Sequence, residues 1–232
     1  MKVNLRESNP ALESIFQDPN QIISLDASFL IPPDRESITN QRISFSTFRD
    51  IWLDPVFGSF PKLAVHEAVL AELSSPAVQS FAYAMLDASP PRLQIHRDSD
   101  LTEVEQMLRN TIENRIRPFT RYCPERGLLS DRGEVKSLSY IAAKGLLYFA
   151  VHDSLAIQLI ENAEDWSTGL DNIRAIKMYE PIFYLYAEGR SERKGLRMLY
   201  KHQYHLTNRE KQENPEWSKF IAAMEALYGT RA

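Results

Sequence analysis

The sequence predicts an α/β fold built on a mainly parallel sheet, with a helical C-terminal extension. Short apolar runs at 22–25, 93–95, 147–151 and 173–179 read as strands, and the segments between them carry apolar residues at helical period. Size agrees: 232 residues, 44% of them hydrophobic, supply one good core or one core plus an appendage.

Residues 1–19 are polar and read as a half-ordered N-terminal extension. "IISL" (22–25) suits a buried strand, because a short Ile-containing run bounded by polar residues fits a sheet interior. Residues 32–62 read as loop with short helical pieces, punctuated by Pro32, Pro33, Pro55 and Pro61. From Val65 the period turns helical, with Val69, Leu70 and Leu73 on one face and Pro76 near the end. "PRLQIHRD" alternates Leu93 and Ile95 with polar residues, as a half-exposed strand does. Leu101, Val104, Leu108, Thr111, Ile112 and Ile116 then share a helical face, which Asp100 or Thr102 can cap. A further helix follows Ser130, with Leu138, Ile141 and Ala142 inward. "LYFAV" (147–151) and "IRAIKMY" (173–179) are strands, and "PIFYLYAEG" is a helix that Gly189 stops. The expected organisation is the 1–19 extension, a domain over 20–189 and a helical, partly basic tail over 190–232.

One cysteine, Cys123, excludes an internal disulfide and a zinc site of thiolates, and fits a reducing cytoplasmic setting. No secretory signal is read at the start. The most apolar stretch, "LLYFAVHDSLAIQLI", is broken by His152 and Asp153 and is too short to span a bilayer, so no membrane partner is expected. A net charge of -4 does not mark a nucleic-acid binder, so contact with phosphate would need a local basic patch.

Carboxylates carry the functional signal. Ligands of an open parallel sheet bind beyond the carboxyl ends of its strands, and Asp26 and Asp153 each follow an apolar strand-like run. Glu72 lies in the first strong helix, and Asp131 and Glu134 stand three apart at a helix start. Converging carboxylates repel unless a cation holds them, and hard Mg²⁺ or Mn²⁺ ions take such oxygen ligands. Each acid also has a plain structural reading. Asp26 and Asp153 can cap the helices that follow them, Asp131 and Glu134 suit a helix N-terminus, and Glu72 can be a solvated helix residue.

The set resembles the PIN-domain nucleases. "SLDASFLI" is similar to their first motif, an apolar strand followed by Asp, a small residue, Ser or Asn and an aliphatic pair. "VFGSFPKLAVHEAVLAEL" resembles their second segment, with the helical Glu before Leu falling on Glu72 rather than Glu67. "LSDRGEVKSLSYIAAKGLLYFAVHD" resembles the third and fourth, placing their acids at Glu134 and Asp153 with Asp131 as an extra. "IRAIKMYEPIFYLYAEG" is similar to the last strand and helix, so the resemblance spans residues 20–189 in order. It implies a three-layer α/β/α fold and a Mg²⁺- or Mn²⁺-dependent endoribonuclease. Asp26, Glu72, Glu134 and Asp153 would be its catalytic metal ligands, Asp131 an additional one, and Ser28 would support them. Many bacterial members are toxin halves of toxin–antitoxin pairs, which makes RNA, an antitoxin protein and a second copy the partners to look for. The alternative is a PIN-like module, catalytically weak or inactive, that binds RNA or protein. Departures are Ala27 for the commoner Thr, Val151 and His152 where members carry a hydroxyl and a polar residue, and long inserts at 32–62 and 118–129.

Ser28 stands where an Asp-nucleophile phosphotransferase needs its second Asp, and no Gly-rich nucleotide loop or nucleophile elbow occurs. Among five histidines only His202 and His205 are closely spaced, with a surface or capping role expected. The basic stretch from Arg190 to Lys211 has seven Lys or Arg against two Glu. As a helix it aligns Arg190, Arg193, Lys194, Arg197 and Lys201, with Arg193, Arg197 and Lys201 as RNA-binding candidates and Tyr200 and Tyr204 as stacking surfaces. The plain reading is a solvated face with Leu196 and Leu199 inward. Trp52, Trp166 and Trp217 read as core or interface anchors. Trp217, Phe220, Ile221, Met224 and Leu227 form a face that docks on its own core or on another subunit.

Overall fold

The computed structural model of the protein describes residues 2–39 and 42–229. It forms two compact units, one of residues 1–20, 32–61 and 177–232 and one of 21–31 and 62–176. The expected N-terminal extension is not half-ordered: Pro10–Gln17 is a helix capped by Asn9, with Ala11, Leu12, Ile15 and Phe16 buried. Phe16 packs on Phe183 and Tyr184 of the Tyr179–Ala187 helix, which ties the two chain regions into one unit.

In that first unit the expected loop at 32–62 contains a continuous helical stretch, Phe45–Phe48, a π-turn at Arg49–Leu53 and Asp54–Ser59. Pro55 explains the wide turn, because its ring would clash with the Ile51 carbonyl of a regular helix. That carbonyl instead accepts the Ser191 hydroxyl at 3.0 Å. Gly189, at φ 60, ends the Tyr179–Ala187 helix as its sequence indicates. The Arg193–Tyr204 and Trp217–Tyr228 helices follow. The C-terminal helix docks on its own unit: Trp217, Phe220, Ile221 and Met224 are buried, and Phe220 stacks on Tyr200 at 4.4 Å between centroids.

The second unit carries the sheet. Strands β1 (Ile23–Leu25), β2 (Leu63–His66), β3 (Leu93–His96), β4 (Tyr148–Val151) and β5 (Arg174–Lys177) are all parallel, in the order β3-β2-β1-β4-β5. Leu25 pairs with Val65 on one side and Ala150 on the other. β1, β2 and β4 are buried at every position, as expected of a sheet covered on both faces.

Strand β2 corrects the helical reading from Val65. The run passes from strand to helix with no polar break, because His66 caps Glu67–Glu72 by accepting the Ala68 N–H on Nδ1 at 3.1 Å. Pro76 begins a new helix, Pro76–Leu86, rather than closing the first. The Glu103–Ile116 helix has the Thr102 cap, yet Val104 and Leu108 are 76% and 45% exposed. Its inward face is polar as well as apolar: Arg109 pairs with Glu113, and Lys136 of the Arg132–Ala143 helix pairs with Glu113 at 2.9 Å. The buried side thus combines Ile112 and Ile116 with the Arg109–Glu113–Lys136 ion network.

Candidate carboxylate site

From β1 the chain proceeds to β2 and β3 on one side of the sheet, then returns past β1 to β4 and β5 on the other. Such a reversal opens a crevice beyond the carboxyl ends of the two central strands, the usual ligand position in this sheet type. Asp26 follows β1 directly, and Asp153 lies two residues beyond β4.

Asp26 proves to be a cap, but not only that. Its Oδ2 accepts the Ser28 N–H at 2.9 Å, and the helix Ala27–Leu30 starts behind it. The carboxyl is 3% exposed, and burial raises its pKa against the lowering effect of the Ser28 and Ala27 hydrogen bonds, with the Asp153 charge adding to the rise. Ser28 also donates its hydroxyl to Asp26 Oδ2 and accepts the His152 N–H on the same oxygen at 3.0 Å. A single hydroxyl thus joins the ends of β1 and β4.

Glu72 and Glu134 meet at the start of the Arg132–Ala143 helix. Glu72 Oε1 accepts the Gly133 N–H at 2.8 Å, and a Cβ on Gly133 would lie 2.5 Å from Glu72 Oε2. Although the Glu72 side chain is largely exposed, desolvation of its carboxylate raises its pKa, the Gly133 bond opposes that, and the Asp26 charge adds to it. Glu134 is pushed up to about 8, first by burial and then by the charges of Asp26, Glu72 and Asp153. Asp153 caps Ser154–Glu161, its Oδ1 accepting the Leu155 N–H at 2.7 Å. Glu134 thus feels the charges of Asp26, Glu72 and Asp153, and Asp26 adds to the rise at Glu72.

Asp131 has another occupation. It accepts the Arg121 backbone N–H at 2.8 Å and pairs with the Arg121 guanidinium at 3.2 Å, anchoring the 118–129 insert at φ 62. Gly133 is the residue that sequence reasoning passed over. Its signal was a glycine in the first turn of a helix, where a close approach is one reason to omit a side chain.

The described residues contain one trio of donors within 4.8 Å of one another, His66, Glu67 and Asp98, and it does not include the four acids. Its hydrogen bonds argue against a cation there. Because His66 Nδ1 accepts the Ala68 N–H, the ring proton sits on Nε2 and faces Asp98 Oδ1 at 3.4 Å. Burial raises the Asp98 pKa, but the His66 hydrogen bond and the Arg109 charge outweigh it and hold the carboxyl below its ordinary value. Arg109 thus stands where a cation would be needed. His96, stacked on Tyr140 at 4.8 Å and bonded to Ser24 Oγ at 3.0 Å, completes a structural cluster, with its pKa lowered to about 4 by burial and by His66.

In the first unit, Arg193, Arg197 and Lys201 are exposed while Leu196 and Leu199 are buried. Tyr200 and Tyr204 are 1% and 0% exposed, so they are core residues and offer no stacking surface to a base. His202 is buried rather than superficial.

No family model, curated protein or solved structure matches the chain. Among the described residues no helix is long and apolar enough to cross a membrane.

Proposed function

We propose that the chain is a Mg²⁺- or Mn²⁺-dependent ribonuclease with a PIN-like, three-layer arrangement, its centre formed by Asp26, Glu72, Glu134 and Asp153. The observation that carries this reading is the placement of Asp26 and Asp153 just beyond the carboxyl ends of β1 and β4, at the sheet's reversal point, with Glu72 held by Gly133 beside Glu134. Burial first, and then the charges of Asp26, Glu72 and Asp153, hold the Glu134 carboxyl up at about 8, and a bound cation would oppose the charge part of that rise.

The donor set fits a hard divalent ion: four carboxylates, one of them almost fully buried. When bound, such an ion supplies charge neutralisation and a water activated for attack at phosphorus. The chain's own groups orient the ligands. Ser28 fixes one oxygen of Asp26, Gly133 fixes Glu72, and Arg121 keeps Asp131 turned to the insert. Arg193, Arg197 and Lys201 add an exposed basic helix face suited to RNA phosphates.

A second reading, a catalytically weak PIN-like module that binds RNA or protein, is favoured by one observation: the four acids do not form a trio within 4.8 Å. Cleavage of RNA by wild type and by Asp26→Asn, with Mn²⁺ and with chelator, separates the two. The nuclease reading expects metal-dependent cleavage that falls at least ~10²-fold in a folded variant; metal-independent or unchanged cleavage rejects it.

A further inference from the structure

Within the first unit, a cavity of about 300 Å³ opens between the Arg193–Tyr204 helix and the start of the Trp217–Tyr228 helix. Arg197 and Lys201, one turn apart, reach it from the first helix, and Glu216, Trp217 and Ser218 from the second. We propose that this cavity binds the phosphate of a nucleotide, either a free mononucleotide or the phosphorylated end of an RNA chain.

Several independent features favour a phosphate. Among the described residues, neither Arg197 nor Lys201 is paired with a carboxylate, whereas Arg35 and Arg209 in the same unit are held by Glu210 and Glu213. The 12-residue Trp217–Tyr228 helix has no side-chain cap on its first turn, so its N-terminal N–H groups are available to an anion. An Arg fork, a Lys ammonium and a helix N-terminus are complementary to a compact dianion such as a phosphomonoester.

The remaining walls set the size and character of the ligand. Tyr200 stacks on Phe220, and its hydroxyl donates to the Pro215 carbonyl at 2.8 Å, fixing the turn that leads to Glu216. Tyr200 and Trp217 lie beneath the cavity and are almost wholly buried, so its open surface is mainly that of Arg197, Lys201, Glu216 and Ser218. The volume lies at the small end of ligand pockets and leaves room for an organic group beyond the phosphate. Glu216, the carboxylate of the lining, repels any anion, so binding rests on Arg197 and Lys201 outweighing it. This proposal does not depend on the cleavage reading, because it concerns binding by a different unit.

Calorimetric titration of the full chain tests it, using the Asp26→Asn protein alongside wild type so that cleavage does not intervene. The probes are AMP, adenosine, and a short RNA with and without a 5′-phosphate. The expected result is that a phosphorylated probe binds at least about tenfold tighter than its unphosphorylated partner. Arg197→Ala and Lys201→Ala, at exposed positions, each remove most of that preference, while Arg209→Ala leaves it unchanged. Preference for AMP alone assigns the free nucleotide, and preference for the phosphorylated RNA assigns the chain end. Equal binding of phosphorylated and unphosphorylated probes overturns the proposal, as does a preference that survives both Arg197→Ala and Lys201→Ala.

Discussion

Glu72 and Gly133, 61 residues apart, are joined by a 2.8 Å hydrogen bond from the glycine N–H to the carboxylate. A side chain at 133 would collide with that carboxylate, since its Cβ would lie 2.5 Å from Oε2. The glycine therefore admits Glu72 to the first turn of the Arg132–Ala143 helix, next to Glu134. There the helix N-terminus partly offsets the crowding of two carboxylates.

Gly133→Ala should separate stability from ligand binding. The displaced atoms belong to the end of an exposed, flexible side chain, so unfolding free energy should change by no more than about 1 kcal/mol, helped by alanine's helix propensity. Mn²⁺ affinity should fall about tenfold or more as Glu72 is pushed aside. Chemical denaturation and metal titration of the same protein check both halves.

Ser28→Ala removes a hydroxyl that serves both Asp26 and the His152 N–H. Losing both of these partly buried hydrogen bonds should cost about 1–3 kcal/mol of stability. A thermal or urea transition measures that loss. Ser28→Thr should restore more of it than Ser28→Cys, because the hydroxyl is what the site uses.

The acid cluster makes stability pH-dependent in a defined direction. Asp26, Glu72 and Glu134 all have raised pKa values in the folded state. The unfolded chain therefore releases these protons first, and stability present below the ordinary carboxylate range is lost as pH rises. For Glu134 that window runs from its ordinary 4.5 to about 8. In chelator, the melting temperature should fall across this interval, less steeply in Glu134→Gln. Added Mn²⁺ should recover most of the loss at the alkaline end.

Charge reversal of Arg193 and Arg197 tests the basic helix face. RNA affinity should weaken, and the slope of log affinity against log salt should shrink by about one for each phosphate that is no longer neutralised.

The sheet was legible where strands are apolar and bounded by polar residues, as at "IISL" and "LYFAV". Strand β2 was hidden because its helix is capped by His66, outside the usual capping residues, so the apolar run continues without a break. The helical stretch around Pro55 was hidden for a related reason: a π-turn accommodates a proline that normally ends a helix. Tyr200 and Tyr204 lay on a basic segment and read as exposed, but aromatic packing against Phe220 and Tyr179 buries them. At the carboxylate site, spacing left every acid divided between a cap and a ligand. Asp26 and Asp153 are caps, and the charges of both also act on Glu134. The two roles are compatible because capping engages one carboxylate oxygen and charge coupling does not require its release.

Mn²⁺ binding is the most direct test of the four-carboxylate centre. Calorimetric titration of metal-free wild type near pH 7.5 should show saturable binding, weakened at least ~10²-fold in Asp26→Asn while circular dichroism is unchanged. Absence of saturable binding in wild type, or equal affinity in the variant, would contradict a cation site at these four carboxylates.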